Sequence, residues 1–252
     1  MRTVQHIVSW LDAFLDPQRV DDYGPNGLQV EASDHVTRIV TGVTANLAFI
    51  EAAADMKADL AVVHHGLYWG NRPSTATGSL GRRLRALFAH RLSLAAYHLP
   101  LDGHLEVGNA ANLARALGLR ELVPAFPSRG IATGVVGRFD PPLDPATVAE
   151  RITALAPRAV LFEGGPARIK KVGLVTGGAP RLAEDAAKGG LDLYVTGEAT
   201  EFTQAMAREE GIHIAAMGHH RSEVFGPRAL AERLRQEFPG LEVEFVDIDN
   251  PA

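Results

Sequence analysis

The sequence predicts an α/β protein made of two similar α/β domains. Three observations carry that expectation: strand-like and helix-like segments alternate, much of their order recurs in the second half, and Pro-rich stretches separate the halves. The opening MRTVQHIVSWLDAFL has the apolar spacing of an amphipathic helix. It has neither the continuous apolar stretch nor the small-residue cleavage site of a signal peptide. DDYGPNGLQVEAS follows as an irregular stretch, its Gly-Pro and Asn-Gly pairs marking turns. Then RIVTGVT reads as a strand, NLAFIEAAADMKA as a helix and DLAVVHH as a second strand. SLGRRLRALFAH is helical, LSLAAYHLPLD is a strand leading into a loop, and GNAANLARALGL is another helix.

Between the halves, VPAFPSRG and FDPPLDP read as connections enclosing a strand, IATGVVGRF. A helix begins at Asp144-Pro145, where Asp serves as N-cap and Pro suits the first helical position. RAVLFEGG is a further strand. The second half runs KKVGLVTGG (strand), APRLAEDAAKGG (helix), DLYVTGE (strand), TEFTQAMAREEG (helix), IHIAAMGHHRSE (strand and loop) and GPRALAERLRQEF (helix). RIVTGVT…ADLAVVHH thus resembles KKVGLVTGG…LDLYVTGE, and LSLAAYHLPLD resembles IHIAAMGHHRSE in the same order. This reads as an internal duplication. The domain boundary is expected near Val123 to Pro127, giving domains 1–124 and 125–252.

Composition narrows the function. The 252 residues are 46% hydrophobic and 22% charged with a formal net charge of −5, and no basic stripe marks a nucleic-acid partner. Cysteine is absent, so a metal site must be built from His, Asp and Glu. No stretch approaches the ~20 apolar residues of a membrane span, and the expectation is a cytoplasmic protein with no membrane partner.

In open α/β sheets, binding groups collect beyond the C-terminal ends of the strands. His64 and His65 end one strand, His98 and Asp102 follow another, and His219, His220 and Glu223 follow a third. Neighbours on a strand point to opposite faces, so His64 and His65 share one task only if the strand stops there. A lone His at a strand end is most often exposed or hydrogen-bonded. Here the convergence of His-His, Asp and His-xxx-Glu at corresponding places of a repeated unit points to metal ligation. His64, His65, Asp102, His219 and Glu223 are too many donors for one metal with an open position, but suit two divalent metal ions sharing a carboxylate. Zinc, iron and manganese all accept such ligands.

Other signals are weaker. HExxH is absent, and the Gly-rich TGGAP and FEGGPAR lack the Walker A ending and the dinucleotide fingerprint. Tyr68 and Trp69 could stack on a planar base but read first as packing. Asp21, Asp22 and Asn26 in the early loop could approach a substrate, but polar turn residues explain them equally well.

DYGPNGLQV, ADLAVVHHGLYWG, AYHLPLDGH and TGEATEF…GIHIAAMGHHRSEVFGPRAL together resemble the Nif-three-like, or YbgI-type, dinuclear-metal proteins, many of which carry the description GTP cyclohydrolase I type 2 homologue. The likeness runs from about residue 20 to about residue 238. It implies two similar α/β domains with a dinuclear site in the cleft between them, and a homohexameric ring. It places His65 and Asp102 on one metal, His64 and His219 on the other, with Glu223 bridging. It also implies a small-molecule substrate with GTP as the named candidate, opened hydrolytically at its purine ring, and His98 or His220 is expected to serve as the acid–base group. The competing expectation is a non-catalytic metal-binding regulatory or adaptor protein forming a ring. A purely structural metal is the third, since such sites are closed and favour Cys.

Overall fold

Two sets of three adjacent parallel strands organise the chain. The structure, a computed structural model, describes residues 2–70 and 75–252. Contacts divide it into two units, Met1–Leu101 with Gly226–Asp249, and Asp102–Phe225 with Asn250–Ala252.

In the first unit β1 (Arg2–Thr3) leads into α1 (Val4–Leu15), whose first turn is capped by the Thr3 side chain accepting from the His6 N–H. Val4, Ile7, Val8, Leu11 and Leu15 are buried, the three-and-four spacing of an amphipathic helix. Next come β2 (Gly27–Val30), β3 (His35–Val36), which pairs with β1, and β4 (Arg38–Thr44). They are followed by α2 (Leu47–Asp55), β5 (Leu60–His65), α3 (Gly78–Ala89), β6 (Ser93–Ala96) and α4 (Leu99–Asp102). α2 begins where the Asn46 side chain accepts from the Phe49 N–H. β4, β5 and β6 run parallel, with β2 antiparallel beside β6. Leu60 through His64 are all buried, the continuous apolar pattern of a central parallel strand.

The second unit holds α5 (Asn109–Ala116), β7 (Arg120–Ser128), β8 (Ile131–Leu143), α6 (Pro145–Leu155), β9 (Val160–Phe162) and β10 (Ile169–Leu174). It continues through α7 (Leu182–Lys188), β11 (Leu193–Thr196), α8 (Thr203–Glu210), β12 (His213–Ala216) and α9 (His219–Ser222). α10 (Phe225–Glu237) and β13 (Glu242–Phe245) then return to the first unit, where β13 pairs parallel with β4. Among the described residues the sheet orders are β13-β4-β5-β6-β2 and β7-β8-β10-β11-β12-β9. The segments matched as repeats are therefore the central strands β4, β5, β6 and β10, β11, β12.

The architecture is α/β, as expected, but several elements differ from the sequence reading. All of VPAFPSRG except its last two residues, which form a turn, lies in β7 rather than in a connection; β7 is the outer strand of its sheet, where Pro124 and Pro127 need donate no ladder bond. FDPPL belongs to β8. The stretch read as irregular contains β2, and LPLD and HHRS, read as loop, are single helical turns. The units also differ from a single cut at 124/125. β13 forms its ladder with β4, and α10 leads to it, so the C-terminal segment belongs with the N-terminal one. No helix among the described residues is long and apolar enough to cross a membrane.

Candidate metal centre

Each unit collects its polar chemistry at the C-terminal ends of its parallel strands. In the first unit His64 and His65 are the last two residues of β5, and His98 lies two residues beyond β6. As read from the sequence, both histidines lie within the strand and end it. Their ring centroids are nevertheless only 4.5 Å apart, and the His98 ring is 5.0 Å from His64 and 5.7 Å from His65. One donor nitrogen from each lies within 4.8 Å of the others, a spacing that can hold a metal ion.

Protein groups hold these rings by the other nitrogen. His64, fully buried, has Nδ1 3.2 Å from the Tyr97 carbonyl; a carbonyl only accepts, so Nδ1–H donates. His65 Nδ1 is 3.0 Å from Thr44 Oγ1, at the end of the adjacent strand β4. His98 Nδ1 is 2.7 Å from Asp22 Oδ1. This arrangement, one imidazole nitrogen held by the protein and the other directed inward, is that of metal-ligating histidines. Trp69 and Tyr23 stand edge-on to His98 at 5.0 and 5.9 Å, and Tyr23 is 47% exposed.

In the second unit Asp102 closes α4, its Oδ1 accepting from Asn109 Nδ2 at 2.9 Å and Thr176 Oγ1 at 3.2 Å. His219 opens α9, and Glu223 follows its last residue, one helical turn away. His219 Nε2 is 3.3 Å from Glu223 Oε2, while its Nδ1 is 2.6 Å from Glu198 Oε1. Oxygens of the buried Asp102 and Glu223 lie within 4.8 Å of each other. The Glu223 carboxylate, helped by Glu198, holds the His219 imidazole up to about 9 against the opposing effect of burial. Ligation through Nε2 requires that proton to leave.

The structure therefore brings His64, His65 and His98 together in one unit, and Asp102, His219 and Glu223 in the other. His220 is buried on α9 with its backbone N–H bonded to the Ala252 carbonyl, and no group of three or more potential metal donors among the described residues includes it.

Several residues of these sites carried no functional reading in the sequence. Glu198, just past β11, orients His219. Gly177, just past β10, has φ +67°, and a Cβ there would lie 2.4 Å from Glu223 Oε1. Its N–H donates to Ser222 Oγ, which in turn donates to the His219 carbonyl. Asp22 and Asn26, read as turn residues, both bond to the His98 segment. The strand-end rule contained a signal for Gly177 and Glu198: TGG lies just past β10 and TGE at the end of β11, as the histidine motif follows β12.

The sequence model of the Duf34/NIF3 family (NGG1p interacting factor 3) matches residues 2–251. The chain belongs to that family. A Vibrio cholerae relative of this NIF3-family chain, named GTP cyclohydrolase 1 type 2 homolog, is 44% identical over 245 residues, covering 96% of each chain. Of solved structures, protein ybgI, described as of unknown function, matches with a TM-score of 0.93 at 37% identity over 100% of both chains. TTHA1606 from Thermus thermophilus matches with a TM-score of 0.89 at 36% identity, again over 100% of both.

Proposed function

We propose that this NIF3-family protein is a metal-dependent hydrolase of a nucleotide or related small molecule. In this reading His64, His65, Asp102, His219 and Glu223 hold two divalent cations, and the chain works as a ring of six copies. The observation that carries it is the set of imidazoles, His64, His65 and His219, whose Nδ1 atoms are taken up by Tyr97, Thr44 and Glu198, as in metal-ligating histidines. The donor set fits: nitrogen and carboxylate ligands suit zinc, iron or manganese, and second-sphere partners are in place. Bound there, such cations would lower the pKa of a shared water and polarise the bond to be broken.

The chain's own residues supply the rest. Glu198 fixes the ring plane of His219, and Asn109 with Thr176 fixes Asp102. In this reading His98, 18% exposed in its side chain, takes up and returns a proton at Nε2. The names of the relatives make GTP the first substrate to try. The family description, an interacting factor, supports an adaptor as the second reading.

Metal content per chain, by elemental analysis of protein purified without chelator, tests the site. About two equivalents are expected from the dinuclear reading. Glu223→Ala is expected to lose metal and metal-dependent hydrolysis of GTP together. Metal content near zero after incubation with zinc, manganese or ferrous iron would overturn the site, and full metal content with no turnover would favour the adaptor.

A further inference from the structure

The loop before β2 holds a carboxylate with every acceptor position committed. Asp22 Oδ1 receives His98 Nδ1 at 2.7 Å and the Tyr23 N–H at 2.6 Å. Asp22 Oδ2 receives the Leu99 N–H and Asn26 Nδ2, both at 2.9 Å. Asn26 Oδ1 accepts from the His98 N–H at 2.8 Å, so the loop grips both the backbone and the ring of His98. The Asp22 side chain is 2% exposed. Burial pushes its carboxyl up, but the bonds from His98 and Asn26 outweigh that and hold it below its ordinary value. An ionised carboxylate only accepts, so the proton of this contact sits on His98 Nδ1.

We propose that Asp22 is a positioning residue that locks His98 in the Nδ1–H tautomer and turns an unprotonated Nε2 toward His64 and His65. The inference rests on the reading of His98 as the proton-exchanging group. Without the carboxylate neither tautomer is enforced, and the Nε2–H form has no lone pair to offer there.

The bonding pattern makes Asp22→Asn a sharp variant. With the amide oxygen at the Oδ2 position, Leu99 and Asn26 keep their acceptor and only the Tyr23 N–H faces the amide nitrogen. The reverse orientation opposes two donors, so the first is preferred. The amide NH₂ of the variant side chain then donates to His98 Nδ1, and the ring proton moves to Nε2.

The experiment is nitrogen-15 NMR of the His98 ring in the full-length metal-free protein, at a pH where imidazole is neutral, with zinc content measured in parallel on zinc-loaded samples. Wild type is expected to show protonated Nδ1 and unprotonated Nε2, and Asp22→Asn is expected to exchange the two signals with zinc content unchanged. Asn26→Ala, which releases the backbone grip and one of the two donors to Asp22 Oδ2 but leaves the bond from Asp22 Oδ1 to the ring, is expected to retain the wild-type tautomer, which a merely structural role for Asp22 does not predict. An Nε2–H tautomer in wild type overturns the proposal even if the variant fails to fold, and so does an unchanged tautomer in a folded Asp22→Asn. Loss of one zinc equivalent together with the tautomer change also overturns it, since His98 would then be a ligand. Metal content near zero in wild type after incubation with zinc, manganese or ferrous iron would remove the metal-hydrolase reading, and the two failures are therefore distinguishable.

Discussion

At the scale of single residues, Glu198 shows how little of a site a motif contains. Its carboxylate, 2.6 Å from His219 Nδ1, orients a ring whose other nitrogen faces Glu223. Removing an outer partner of this kind costs roughly 10–100-fold in metal affinity. Glu198→Ala is therefore expected to weaken zinc binding by about that factor, measured by competition with a chromophoric chelator, while leaving the fold intact since Glu198 is about half exposed. An unchanged affinity would mean the contact does not orient the ring. His64, His65, Asp102, His219 and Glu223 could be singled out as candidate ligands because imidazoles and carboxylates stand out beside apolar strands. Glu198 and Asp22 were not, because their parts depend on partners 21 and 76 positions away that no local pattern specifies.

At the scale of elements, strand-to-helix spacing is set by small residues as much as by large ones. Gly42 of β4 faces the ring of Phe49 on α2, and a Cβ at Gly42 would sit 2.2 Å from Phe49 Cε2. Phe49 is 1% exposed, so its ring has little room to yield. Gly42→Ala is expected to destabilise by about 1–3 kcal/mol through overpacking, read from urea unfolding midpoints. A shift below about 0.5 kcal/mol would show that the helix can move away. The helices were largely legible, down to the Asp144 cap that accepts from the Thr147 N–H. β2 and β7 were less so, since Gly and Pro mark turns locally but also suit a short strand and a sheet edge. The turns at LPLD and HHRS escaped because a single turn has no periodicity to read.

At the scale of the whole molecule, stability should be linked to the metal. A cation that binds the native chain and not the unfolded one stabilises it by about 2.7 kcal/mol per site at a hundredfold excess over Kd, worth several degrees in a chain of this size. Chelator-treated protein is expected to melt lower than protein loaded with zinc, with the difference growing with free zinc in calorimetric scans; identical melting curves would show that neither unit gains from ligation. By itself the sequence determined the α/β class, the succession of the central strands along the chain, the candidate metal-ligand residue types and the family, because periodicity, end signals and rare polar residues are local quantities. Only the tertiary structure decided that β13 returns to pair with β4, that the His64 and His65 rings lie 4.5 Å apart at the end of one strand, and which carboxylate holds which imidazole. Those outcomes depend on hydrogen bonds and packing between segments far apart in the chain, and their geometry exists only once the sheets have formed.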